Sequence, residues 1–220
     1  MTSGFTSRCG CTKYVISLYF RLQNLTSNPS QRGAKKIILT SRRGRKFLEQ
    51  DALEVTRLKV AYMERCNDLS LQLEACDATS VLGMRRLIDG VKEPLGGCFL
   101  MPLVLSDGLF VNQTEGSIRR VVDAKWESLA TLDTIVPIQT LDFCVSFSSV
   151  SALIGNHGQS NYAMANTVVD GYLARHKNAF SVSVPSISDL GYFARHRGAH
   201  GSAIESTVLS PDGTLLLVAV

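Results

Sequence analysis

The stretch Leu141–His176, LDFCVSFSSVSALIGNHGQSNYAMANTVVDGYLARH, decides the fold. Leu141–Ser148 is a short apolar run with aromatic and β-branched members, which predicts a buried strand. Gly155 and Gly158 punctuate the loop that follows, and from Ser160 to about His176 the apolar spacing turns helical. A second apolar run, Ser181–Ile187, predicts the next strand. A strand, a helix-length crossover and another strand make the unit from which parallel sheets are built.

The same alternation runs upstream. Lys36–Ser41 (KIILTS) predicts a buried strand, and Tyr14–Phe20 (YVISLYF) can form the one before it. Phe47 to about Cys66 carries Leu48, Ala52, Val55, Leu58 and Tyr62 at helical spacing. Leu69–Cys76 predicts a strand, Val81–Val91 a helix that stops before Pro94, and Gly97–Leu105 a further strand. Ser117 to about Thr131 predicts a long helix. Near the end, Ser210-Pro211-Asp212 offers a cap, a first-turn proline and an acid, so a short apolar helix is expected to reach the last residue. The fold class is α/β: a Rossmann-like doubly wound parallel sheet whose N-terminal βα unit is degenerate. Residues 1–31 are read as an atypical segment and 32–220 as the Rossmann domain.

Composition narrows the function. The chain has 220 residues, 45% hydrophobic and 19% charged, ordinary for one globular domain. Its longest apolar runs fall far short of the ~20 residues that cross a bilayer, so no membrane association is expected. No secretory pattern opens the chain, and the expected compartment is cytoplasmic. The six cysteines, at 9, 11, 66, 76, 98 and 144, read as reduced thiols, and the lone C-x-C is weak ground for a metal. The net charge of +4 comes from scattered basic pairs that read as solvated faces, so no nucleic-acid partner is expected.

The chemistry concentrates where the reading began. Ser149 stands at the carboxyl end of a parallel strand, the rim where open α/β sheets bind ligands. Tyr162 and Asn166 are four apart on the next helix and share a face, while Lys125 lies on the preceding helix. The segment FSSVSALIGNHGQSNYAMAN (147–166) resembles the active-site stretch of ketoreductase domains of reducing polyketide synthases, the fungal type in particular, within the short-chain dehydrogenase/reductase superfamily. In that family the catalytic Ser precedes the Tyr by 13 residues, which selects Ser149 over Ser148; the Lys stands 24 before the Ser, at Lys125, and the Asn four after the Tyr. Most relatives outside the ketoreductases carry Lys after the Tyr and Asn on the earlier helix. The likeness extends to GAKKIILTSRR (33–43), CDAT (76–79), PLGGCFLMPLVLSD (94–107) and SDLGY (188–192).

The resemblance implies reduction of a ketone, which needs hydride on carbon and a proton on oxygen. Tyr162 would give the proton to the developing alkoxide, Lys125 would favour the tyrosinate, and Ser149 would hydrogen-bond the same oxygen. Asn166 would fix Lys125 or a relay water. At the end of the second strand an acid suits a free ribose 2′-hydroxyl and an Arg a 2′-phosphate. Thr40-Ser41-Arg42-Arg43 has no acid, so NADPH is the implied cofactor, with Arg42 ahead of Arg43; the pair also fits a solvated turn. Asp77 is expected at the adenine edge, or as a turn-former. The pyrophosphate loop should lie about 20 residues earlier, on a G-x-G-x-x-G/A turn. Near 17–27 the chain reads SLYFRLQNLTS, without glycine. The expected activity is NADPH-dependent reduction of a 3-ketoacyl thioester on an acyl-carrier protein, with other synthase domains as possible partners. Two alternatives stand beside it: a ketoreductase-like module that has lost cofactor binding, and a free-standing reductase of small carbonyl compounds.

Overall fold

The computed structural model describes residues 13–18, 35–49, 54–187, 208–209 and 218–219. Its strands are β1 (Tyr14–Leu18), β2 (Lys36–Ser41), β3 (Ser70–Ala75), β4 (Leu95–Leu100), β5 (Phe143–Ser149), β6 (Ala179–Val184), β7 (Ser186–Ile187), β8 (Val208–Leu209) and β9 (Val218–Ala219). The helices are α1 (Glu54–Glu64), α2 (Val81–Asp89), α3 (Glu115–Ile135), α4 (Val150–Ile154) and α5 (Ser160–Leu173), with a 3-10 segment at Gly44–Glu49. The main sheet runs β3-β2-β1-β4-β5-β6-β9; the first six are parallel and β9 is antiparallel to β6. This is the doubly wound order, reversing direction between β1 and β4.

Burial on both faces explains the apolar runs. In β2, Ile37 and Leu39 point to one side, where they pack with Leu48, Val60 and Met63 of the 3-10 segment and α1. Ile38 points to the other, joining Met84 of α2, Leu129 and Leu132 of α3, and Val169 and Leu173 of α5. A parallel strand clothed on both sides needs this near-continuous hydrophobicity. The predicted first strand forms as β1 and pairs along its length with β2 and β4. The division at residue 31 lies outside the described residues.

Several boundaries differ from the sequence reading. The strand expected to reach Leu105 ends at Leu100, where Pro102 has no N–H for the ladder. The strand expected over Ser181–Ile187 breaks at Pro185 into β6 and β7. α3 begins before Ser117, because Thr114 caps it: Thr114 Oγ1 accepts from Ser117 N (3.2 Å) and Ser117 Oγ from Thr114 N (2.9 Å). The single helix expected from Phe47 is a 3-10 segment and then α1. The helix expected to run to the last residue is contradicted at Val218–Ala219, which is strand β9; an apolar run of that length has no period to separate the two states. Ser210-Pro211-Asp212 lies outside the described residues, as does Ser188–Tyr192.

Candidate active site

Ser149 is the last residue of β5 and caps α4, an element the sequence reading missed. Its Oγ accepts from Ser151 N at 3.2 Å and donates to Ser151 Oγ at 3.1 Å. Strand alternation separates it from Ser148, which is buried and donates to Asp170 Oδ2 at 2.6 Å. Ser149 is half-buried at the sheet rim, whereas Ser148 points inward onto α5.

Lys125 lies on the stripe of α3 that carries Val121, Ser128, Leu129 and Leu132, and only 2% of it is exposed. Nζ donates to the carbonyl of Phe147 at 2.8 Å, which ties α3 to β5 two residues before Ser149. Burial pulls the ammonium pKa from its ordinary 10.5 down to about 8, and the Asp170 carboxylate opposes that fall.

Tyr162 and Asn166 occupy the first two turns of α5, half-buried and buried respectively. Asn166 Nδ2 donates to the Tyr162 carbonyl at 2.8 Å, and its Oδ1 is buried without a partner. Residues 162, 166 and 170 repeat every four along one face. The helix pair is locked by Trp126, edge-on to Tyr172 at 5.3 Å, and by the Tyr172 hydroxyl donating to Asp133. The structure thus brings the expected Lys, Tyr and Asn onto two packed helices beside the end of β5.

The loop between β4 and α3 is stitched to the entrance of α5. Asn161 Nδ2 donates to the Ser106 carbonyl at 2.8 Å, Gly108 N to the Gly158 carbonyl at 2.8 Å, and Gln159 Nε2 to Asp107 Oδ2 at 2.9 Å. Gln159 Oε1 also accepts from Ser151 Oγ at 3.0 Å, joining this network to α4. The sequence reading passed over these amides, and Asp170 with them. The four-residue repeat after Asn166 was the signal available for Asp170.

Arg42 and Arg43 are exposed in the turn after β2, and Asp77 is exposed just after β3. Cys76 N donates to the Ser41 carbonyl at 2.8 Å, so the two turns sit side by side. Asp77 Oδ1 accepts from Thr79 N (3.0 Å) and Thr79 Oγ1 (2.7 Å), a turn-forming arrangement. These three share the carboxyl edge of the sheet with Ser149, across β1 and β4. The expected pyrophosphate loop falls outside the described residues, apart from Ser17 and Leu18 of β1. Among the described residues no helix is long and apolar enough to cross a membrane, and Cys66, Cys76, Cys98 and Cys144 are free thiols.

Residues 23–192 match the KR domain family. The highly reducing polyketide synthase stpks1 of Strobilurus tenacellus is 38% identical over 159 residues, 72% of this chain and 6% of that protein. The highly reducing polyketide synthase valA of Aspergillus terreus is 31% identical over 182 residues, 80% of this chain and 7% of that protein. The chain therefore spans less than a tenth of these curated relatives. Among solved structures, an A-type ketoreductase from a modular polyketide synthase superposes with a TM-score of 0.69 at 24% identity, covering 82% of this chain and 39% of that one. With the Rossmann-like sheet and the segment 147–166 already described, the family match makes the conclusion direct: the chain belongs to the KR domains, the ketoreductase branch of the short-chain dehydrogenase/reductase superfamily.

Proposed function

We propose that this chain reduces a 3-ketoacyl thioester, carried on an acyl-carrier protein, to the 3-hydroxyacyl thioester with NADPH, alongside other synthase domains. The observation that carries this reading is the placement of Ser149 at the rim of β5 with Lys125 buried behind it and Tyr162 and Asn166 on the facing turns of α5. Membership of the KR family implies a nicotinamide cofactor. At its adenosine end the residues fit: Arg42 and Arg43 have no ion-pair partner among the described residues and border Asp77, a donor set suited to a 2′-phosphate rather than a bare ribose. Residues 32–220 make up the ketoreductase-like unit in this reading, and 1–31 an atypical N-terminal segment that carries the first strand and the cofactor loop position.

Bound NADPH supplies a hydride. The chain's own residues manage the oxygen that becomes an alkoxide. The Tyr162 hydroxyl gives that oxygen its proton, and the Lys125 ammonium stabilises the tyrosinate left behind. The Ser149 hydroxyl, freed from Ser151, donates to the same oxygen as its charge builds. Asn166, whose Oδ1 is buried and unpartnered, supplies an acceptor to order the lysine or a relaying water.

The test is turnover of a carrier-bound 3-ketoacyl thioester by the purified chain, followed through NADPH absorbance, with Tyr162→Phe beside it. Tyr162→Phe should abolish reduction while circular dichroism and NADPH binding stay nearly unchanged. Retention of more than about a tenth of wild-type turnover would remove Tyr162 as the donor. A second reading, a module that has lost cofactor binding, is favoured by one observation: no glycine occurs from residue 11 to residue 32. Calorimetric titration with NADPH separates the two.

A further inference from the structure

We propose that Asp170 is a positioning residue of this site, whose carboxylate, held by Ser148, is the counter-ion that keeps the Lys125 ammonium charged and in place between α3 and α5. This rests on the reading of Lys125 given above. A buried ammonium needs an anion or a full set of acceptors, since its desolvation otherwise favours loss of the proton. Among the described residues Lys125 Nζ has a single acceptor, the neutral carbonyl of Phe147. Asp170 supplies an anion from the opposite helix, not in direct ion-pair contact with Nζ but anchored on Ser148, the residue that follows Phe147. One of its oxygens is fixed by the Ser148 hydroxyl at 2.6 Å, and the other is buried with no partner. Trp126, next to Lys125, packs edge-on against Tyr172, two residues beyond Asp170, so the helices meet at this level.

The surroundings leave Asp170 as the anion. α5 brings three titratable groups toward this level, Tyr162, Asp170 and Tyr172, the last with its hydroxyl donated to Asp133 of α3; β5 brings the Phe147 carbonyl and the Ser148 hydroxyl, neither of which titrates in the working range. β4 contributes no charged side chain, and on α3 itself Asp123 and Glu127 flank Lys125 in sequence at positions two away, which project from other faces. Asp170 is also the one charged group whose field counters the burial of Lys125. Catalysis requires the lysine protonated near neutrality, and burial alone works against that. A merely structural Asp170, tying α5 to β5 through Ser148, would have no bearing on the lysine's proton.

The experiment is a pH titration of the full chain labelled with 13C at the lysine ε-carbon, read by NMR. The Lys125 resonance is identified by its loss in Lys125→Met. Wild type should titrate near about 8. In Asp170→Asn the midpoint should fall by about one pH unit or more, the size of effect expected for a nearby opposite charge in a buried site. An unchanged midpoint in a folded Asp170→Asn protein overturns the proposal. Should Asp170→Asn fail to fold, the double variant Lys125→Met/Asp170→Asn decides: recovery of the fold shows that the unpaired ammonium was at fault, and continued failure shows that Asp170 acts by packing. Neither measurement needs cofactor or turnover, so absence of reductase activity would leave this result standing on its own.

Discussion

Lys125 concentrates the conflict between stability and chemistry in one side chain. It is the largest side chain in the core with almost no exposure, and its charge is opposed by burial. Because its pKa in the fold lies near about 8, below the ordinary 10.5, the unfolded chain holds more protons between those values. Stability therefore rises as pH climbs through that window, and the cost of the charge is present in full below it. Lys125→Met should abolish reduction, and Lys125→Met/Asp170→Asn, which leaves no buried charge uncompensated, should be more stable than wild type by about 1–3 kcal/mol at pH 7, after allowing for the lost bond to Phe147. The gain should shrink as pH rises from 8 toward 10.5, which urea denaturation at several pH values would read. Ser149→Ala separates two roles differently. Losing one oxyanion donor should cost on the order of 10²–10³ in rate. Losing the cap of α4 should cost about 1 kcal/mol in stability. The strand and helices that carry the four expected residues were legible from their periods, and the family resemblance singled those residues out. Asp170 was not singled out: the four-residue repeat marked its face, but a helical acid usually faces water, and it is the contact with Ser148 that turns this one inward.

Elements were legible wherever the period was long and both faces were buried, as in β2, α3 and α5. Their ends were set by single residues acting locally: Pro102 and Pro185 by lacking a donor, Thr114 by reaching forward to Ser117. β4 opens Leu95-Gly96-Gly97, a poor strand by propensity; a Cβ at Gly97 would lie 2.2 Å from the Phe143 ring, so the glycine is there to let β5 pack close. The turn after β2 matters more for the proposed function, because it carries Arg42 and Arg43. Gly44 there has φ of +53°, and a Cβ would stand 2.9 Å from the backbone nitrogen of Ala75. Gly44→Ala should destabilise the chain by about 1–3 kcal/mol in denaturant titrations. It should also swing both arginines away from the Asp77 turn, narrowing any preference for NADPH over NADH. Arg42→Ala should narrow that preference without the loss of stability. Equal affinities for the two cofactors in the unmutated protein would exclude a 2′-phosphate contact by either arginine.

For the whole molecule, the proposed function puts the adenosine end at β2 and β3 and the reducing end at β5 and α5, with the β1–β4 switch point of the parallel sheet between them. A dinucleotide laid across that crevice must pass the segment after β1, where its pyrophosphate carries two negative charges. A Gly-rich turn answers them with several backbone amides at a helix N-terminus, where no Cβ blocks approach. Here the residues after β1 are Tyr19, Phe20, Arg21, Leu22, Gln23, Asn24, Leu25 and Thr26, and the next glycine is Gly33. Losing two or three charge-assisted bonds of ~1.5–3 kcal/mol each weakens binding by several powers of ten. The chain should therefore bind NADPH far more weakly than a KR domain with an intact glycine turn, with slow turnover, although the four proposed catalytic residues keep the family register. Replacing residues 22–31 by a Gly-rich turn and helix start should restore binding, because β1 already pairs with both β2 and β4 and gives the graft a fixed base. Calorimetry of both proteins decides the matter. Micromolar affinity in the unaltered chain would mean that the pyrophosphate is held by other groups, and Arg21, the one cation among those eight residues, would be the first to substitute.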